Sequence, residues 1–98
     1  MRANVRPATL NDTGAIASIL RELGWFAHIS GESAGDTEAR VARHFELCGA
    51  DDSHTVLVTE DGRGEVAGYV AVHWLPYLML GGPEGYVSEL FVREGARG

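Results

Sequence analysis

Three runs of β-branched and aromatic residues crowd the second half of this chain, and the spacers between them leave little choice of topology. His54 to Glu60 contains Thr-Val-Leu-Val-Thr, Glu65 to Leu75 contains Val-Ala-Gly-Tyr-Val-Ala-Val-His-Trp, and Tyr86 to Val92 reads Tyr-Val-Ser-Glu-Leu-Phe-Val. Such runs read as strands. Asp61-Gly-Arg-Gly64 is a hairpin signal between the first two. Pro76 ends the second run, and a loop containing Gly81-Gly82-Pro83 leads on to the third. Spacers this short cannot hold a crossover helix, so the three strands are expected to form an antiparallel meander.

The first half carries a different period. Asn4 to Pro7 reads as a short strand ended by proline. Ile16, Ile19, Leu20 and Leu23 then fall at i, i+3, i+4 and i+7, with Asn11 or Asp12 expected as the cap and Gly24 as the stop. Trp25 to Gly35 reads as a Gly- and Ser-containing loop. A second helix, capped by Asp36 or Thr37, carries Val41, Phe45 and Cys48 on one face and ends at Gly49. The order is β-α-α-β-β-β, an α+β chain read as one domain over residues 1–98.

Composition narrows the partners. A net charge of −6 offers no basic stripe for phosphates, so nucleic-acid binding is not expected. No stretch reaches transmembrane length and Met1 to Pro7 has no apolar run, so no membrane partner is expected either. Cys48 is the only cysteine, which excludes an intrachain disulfide and points to a reducing compartment, the cytoplasm by default. No metal site is expected, because His28, His44, His54 and His73 are scattered and His44 with Cys48 makes only two possible ligands.

The C-terminal segment carries a more specific signal. Tyr86 to Val92 leads through Arg93-Glu-Gly-Ala into Arg97-Gly98, and a strand turning into Arg-Gly brings backbone N–H groups toward a phosphate. This resembles the fourth strand of the GCN5-related N-acetyltransferases (GNAT family) and the Gln/Arg-x-x-Gly-x-Gly/Ala motif that follows it. Val5-Arg-Pro-Ala-Thr before a capped helix resembles the family's opening, and Val66-Ala-Gly-Tyr-Val its third strand. The resemblance implies a GNAT-like half-domain with an antiparallel four-stranded sheet, acetyl-CoA as co-substrate, and a small-molecule or peptide amine as acceptor. It places Arg97 at the opening of the pyrophosphate motif, whose two glycines would fall beyond Gly98. Residues 1–98 alone are therefore expected to bind the donor weakly and to be catalytically weak or dead.

Acetyl transfer needs a held thioester, a deprotonated amine and support for an oxyanion. The resemblance assigns the pantetheine arm and acetyl carbonyl to the main chain of Leu90, Phe91 and Val92, and the coenzyme's phosphates to Arg97 and Gly98. Glu89 reads as the acid/base candidate and equally as a solvated strand glutamate. Strict alternation puts it on a face with Val87 and Phe91, with Ser88 and Tyr86 opposite as alternative general acids or orienting groups; a bulge would break that pattern. Trp25, Phe26 and His28 sit in the interhelical loop, where the resemblance places the acceptor, and they read equally as packing. Trp74 and Tyr77 flank Pro76 and are assigned to the same cleft, against a reading as core and rim.

Two rival readings belong to other classes. One is a non-catalytic half-domain that acts by strand-edge association, including a homo-oligomer; the other is a small-molecule-binding module. Alternation puts Val66, Val70, Val72 and Trp74 on one face of the third strand and Tyr69, Ala71 and Leu75 on the other. Both faces are apolar, and two helices cannot cover both.

Overall fold

The computed structural model describes residues 4–96. Strand β1 (Asn4–Pro7) leads through a 3-10 turn (Leu10–Asp12) into helix α1 (Thr13–Leu23). A single helical turn, α2 (Ala27–Ser30), precedes helix α3 (Ala34–Cys48). Strands β2 (His54–Glu60), β3 (Val66–Leu75) and β4 (Glu84–Val92) follow, with a last 3-10 turn at Glu94–Ala96. The four strands form one antiparallel sheet in chain order, with β1 and β4 at its edges. The meander is the one expected from the short spacers. Among the described residues no helix is long and apolar enough to cross a membrane.

The core sits where α1 meets the sheet. Ile16, Ile19 and Leu20 are buried against Ile29, Val58 and Tyr69, and Ile19 is fully enclosed. Burying one such side chain is worth about 1.5–3 kcal/mol. Gly24 ends α1 in the left-handed region, at φ 68°, where a side chain would be strained. Helix α3 packs chiefly on α1 rather than on the strands. That offset leaves a gap between α3 and β3–β4.

Helix starts differ from the sequence expectation. The N-cap of α3 is Ser33, whose hydroxyl accepts from the Asp36 N–H at 3.1 Å, so the helix begins before Asp36 and Thr37. Asp12 stands at the N-cap position of α1, but its carboxylate bonds no α1 N–H. It accepts instead from the Thr9 N–H at 2.7 Å and from both terminal nitrogens of Arg6 at 2.8 and 2.9 Å. A bidentate arginine outcompetes a capping bond. The segment expected as a plain loop contains α2.

Two irregularities set the faces of the sheet. A register shift between Thr59 and Glu60 lets Val66 pack against the core cluster, instead of on the face of Val70 and Val72. A second shift lies between Ala71 and Val72, opposite Ser88. The face turned away from the helices carries Trp74, Val87 and Leu90, which are 39%, 52% and 65% exposed.

Candidate active site

The bulge in β4 builds the site. Glu89 pairs with Ala71 and Val87 with Val72, so Ser88 is the extra residue. The bulge turns both Ser88 and Glu89 toward the gap, where they line a cavity of about 620 Å³. It also moves Tyr86 onto the Glu89 face: the Tyr86 ring lies 6.5 Å from that of His73, which shares a face with Ala71. Strict alternation had placed Ser88 and Tyr86 opposite Glu89. The extra residue reverses that.

Glu89 is held. Tyr69, 5% exposed, donates its hydroxyl to Glu89 Oε1 at 2.8 Å. Burial, and then the neighbouring carboxylate, push the Tyr69 phenol well above its usual range, so it stays protonated and donates. Cys48 also lines the cavity. Burial and then the Glu89 charge push its thiol up, which disfavours the thiolate a nucleophile would need.

The interhelical segment closes the far wall. Phe91 is the hub, with its ring centroid 5.8 Å from Trp25, 6.0 Å from Phe26 and 5.9 Å from Tyr69, all edge-on. His28 lies against Phe26 at 6.1 Å and lines the cavity. Arg21 of α1 pins this segment by donating to the carbonyls of Ile29 (3.4 Å) and Glu32 (2.7 Å) and to Thr37 Oγ1 (3.2 Å). Glu32 takes the Thr37 hydroxyl and both bonds of Arg40, so the guanidinium at the cavity wall is already neutralised.

The outer edge of β4 is open, with no strand beyond it among the described residues. The Arg93 N–H donates inward to the Ala67 carbonyl at 2.8 Å. Alternation in an antiparallel pair then turns the main chain of Phe91 toward β3 and that of Leu90 outward. Val92 shares the direction of Leu90.

No protein-family model and no curated protein matches this sequence. Solved structures do. A transcriptional regulator from Bacillus halodurans C-125 superposes with a TM-score of 0.79 at 21% identity, over 99% of this chain and 64% of that one. Glucosamine-6-phosphate N-acetyltransferase from Arabidopsis thaliana gives 0.74 at 20% identity, over 100% of this chain and 65% of that one. The fold is that of the GNAT N-acetyltransferases. A predicted acetyltransferase from Clostridium acetobutylicum, solved with acetyl-CoA, gives 0.66 at 20% identity, over 99% of this chain and 64% of that one. The chain thus spans just under two thirds of these GNAT-fold proteins.

Within this GNAT fold, the expected residues fall into three groups. Glu89, Ser88, Phe26, His28 and Phe91 line one cavity, with Trp25 against Phe91 and Tyr86 farther along the same face. Trp74 and Tyr77 do not line it. Trp74 lies on the opposite face, its indole N–H donating to Thr55 Oγ1 at 2.8 Å and its ring over Gly85, while Tyr77 is 40% exposed. Arg97 and Gly98 lie outside the described residues. The sequence does not single out Tyr69, whose hydroxyl holds Glu89; its one signal is a lone hydroxyl within an apolar strand. Among the described residues no group of three or more His, Cys, Asp or Glu could hold a metal ion.

Proposed function

We propose that the protein is an N-acetyltransferase of the GNAT type that moves an acetyl group from acetyl-CoA to a primary amine by direct attack. The observation that carries this reading is the Glu89 carboxylate, held by Tyr69 at 2.8 Å in a largely apolar cavity, one residue from the outward main chain of Leu90. Acetyl-CoA supplies an activated acyl group, and the edge at Leu90 fits it with main-chain groups. Glu89 takes one proton from the acceptor ammonium, directly or through water. The freed nitrogen attacks the thioester carbonyl carbon, so that a C–N bond forms and the C–S bond breaks. The nitrogen's second proton ends on the leaving sulfur, with Ser88 and Tyr86 as the hydroxyls available to pass it. The Leu90 N–H supports the charge that develops on the carbonyl oxygen. A cytosolic location, with its reducing conditions, belongs to the same proposal.

We also propose that a polypeptide of residues 1–98 alone binds the donor weakly, on the resemblance of Arg97-Gly98 to the opening of the pyrophosphate motif. Micromolar binding of acetyl-CoA to it by calorimetry would refute that. The test of the activity is thiol release from acetyl-CoA in the presence of amines. Glu89→Gln should lower kcat by about 10²–10⁴-fold; unchanged turnover would remove Glu89 from the mechanism.

A further inference from the structure

The walls of the cavity say what kind of amine it takes. Its sides are mostly hydrocarbon, from Leu20, Ile29 and Val41 on the helical side to the rings of Phe26, Phe45 and Phe91, with the imidazoles of His28 and His44 and the Ser88 hydroxyl as polar points. Glu89 is the only carboxylate among the described lining residues, and the charge of the lining guanidinium, Arg40, is paired with Glu32 through Nη1. One negative point in an open, mostly apolar cleft matches one positive point on an apolar body. A diamine would find no second carboxylate for its second ammonium, and an aminosugar would set several hydroxyls against hydrocarbon with only His28, His44 and Ser88 to meet them. At about 620 Å³ the space falls within the usual range for small-molecule sites, roughly 300–1,000 Å³.

We propose that the acceptor is a monoamine whose single ammonium pairs with Glu89 and whose body is aromatic or branched aliphatic, seated among Phe26, Phe45 and Phe91. As an acceptor assignment it rests on the acetyl-transfer reading; as a binding preference it stands on the cavity alone. Bidentate or shared contacts with Glu89 remain open to the ammonium, because Tyr69 occupies only one carboxylate oxygen.

Equilibrium binding of four probes tests it: 2-phenylethylamine, 2-phenylethanol, 1,4-diaminobutane and glucosamine. The expected result is that 2-phenylethylamine binds at least about tenfold tighter than either polar amine. Glu89→Gln, nearly isosteric, should weaken 2-phenylethylamine about tenfold and leave 2-phenylethanol unchanged. Phe26→Leu should weaken both aromatic probes together. Tighter binding of 1,4-diaminobutane or glucosamine overturns the proposal, as does a 2-phenylethylamine affinity indifferent to Glu89→Gln or absent at millimolar concentration. Transfer assays with the same amines separate the two readings. Acetylation of glucosamine but not 2-phenylethylamine overturns this preference and keeps acetyl transfer. Tight binding of 2-phenylethylamine with no acetylation of any amine, in a protein that calorimetry shows to be saturated with acetyl-CoA, keeps the preference and overturns acetyl transfer.

Discussion

A phenol and a carboxylate from neighbouring strands meet at the centre of the cavity, and burial fixes which of them holds the proton. Tyr69 stays protonated, so its hydroxyl serves to position Glu89 rather than to act as a base. Tyr69→Phe should therefore lower kcat by about tenfold and cost only about 1 kcal/mol of stability, one hydrogen bond's worth; an unchanged kcat would reduce Tyr69 to packing. Asp12 is the opposite case. The Arg6 guanidinium, chiefly, and the Thr9 N–H hold its carboxyl below its ordinary 3.8. A lowered folded pKa means that the stabilisation is present above about pH 4 and is lost as pH falls through the folded value. Asp12→Asn should accordingly cost about 2 kcal/mol at pH 7 and flatten the acid limb of the unfolding curve. Glu89 could be singled out in the sequence because it is the one carboxylate inside an apolar strand. Tyr69 could not, because its partner lies 20 residues on and the pairing depends on a bulge that no local pattern announces.

At the scale of elements, strands and long helices were readable because their apolar periods repeat over several turns or pairs. Boundaries were less so. Ser33 caps α3 by a local bond from the Asp36 N–H, whereas the segment around α2 gains a tertiary anchor: Arg21 reaches across from α1 to the carbonyls of Ile29 and Glu32. No propensity encodes a donor eleven residues away. Arg21 is thus the positioning residue for the aromatic wall. Arg21→Ala should raise amide exchange across residues 25–33 while leaving β2 and β3 protected, and should raise the acceptor KM more than it lowers kcat. Uniform loss of protection would mean that Arg21 holds the whole fold. Glycines tighten β3 and β4 in a similarly non-local way. A Cβ at Gly68 would lie 2.9 Å from the Phe91 carbonyl oxygen, which is backbone and cannot swing aside. Gly68→Ala should lower stability by about 1–3 kcal/mol through forced separation of the two strands, read as a drop in denaturation midpoint.

At the largest scale, the decisive imbalance is that among the described residues the helices cover one face of the sheet. The other face presents Val87 and Leu90 more than half exposed, beside Trp74 and the partly buried Val70 and Val72. Apolar patches on monomers rarely exceed roughly 300–600 Å², and these side chains run across the two strands β3 and β4. Covering about 300 Å² on each of two copies is worth about 15 kcal/mol at 25 cal/mol per Å². Association costs roughly 4–15 kcal/mol in lost freedom and ordering, so the balance reaches micromolar affinity when the cost stays below about 7 kcal/mol. Residues 1–98 produced alone should therefore associate at tens of micromolar. Light scattering decides the matter, since a monodisperse species of 10.5 kDa would sink the idea. A paired substitution locates the contact. Leu90→Lys places a charge on the open face and should return the polypeptide to a monomer, whereas Leu78→Lys, at a fully exposed position of the turn between β3 and β4, should leave the assembly intact. The reverse outcome would assign association to the turn between β3 and β4 instead of to the sheet.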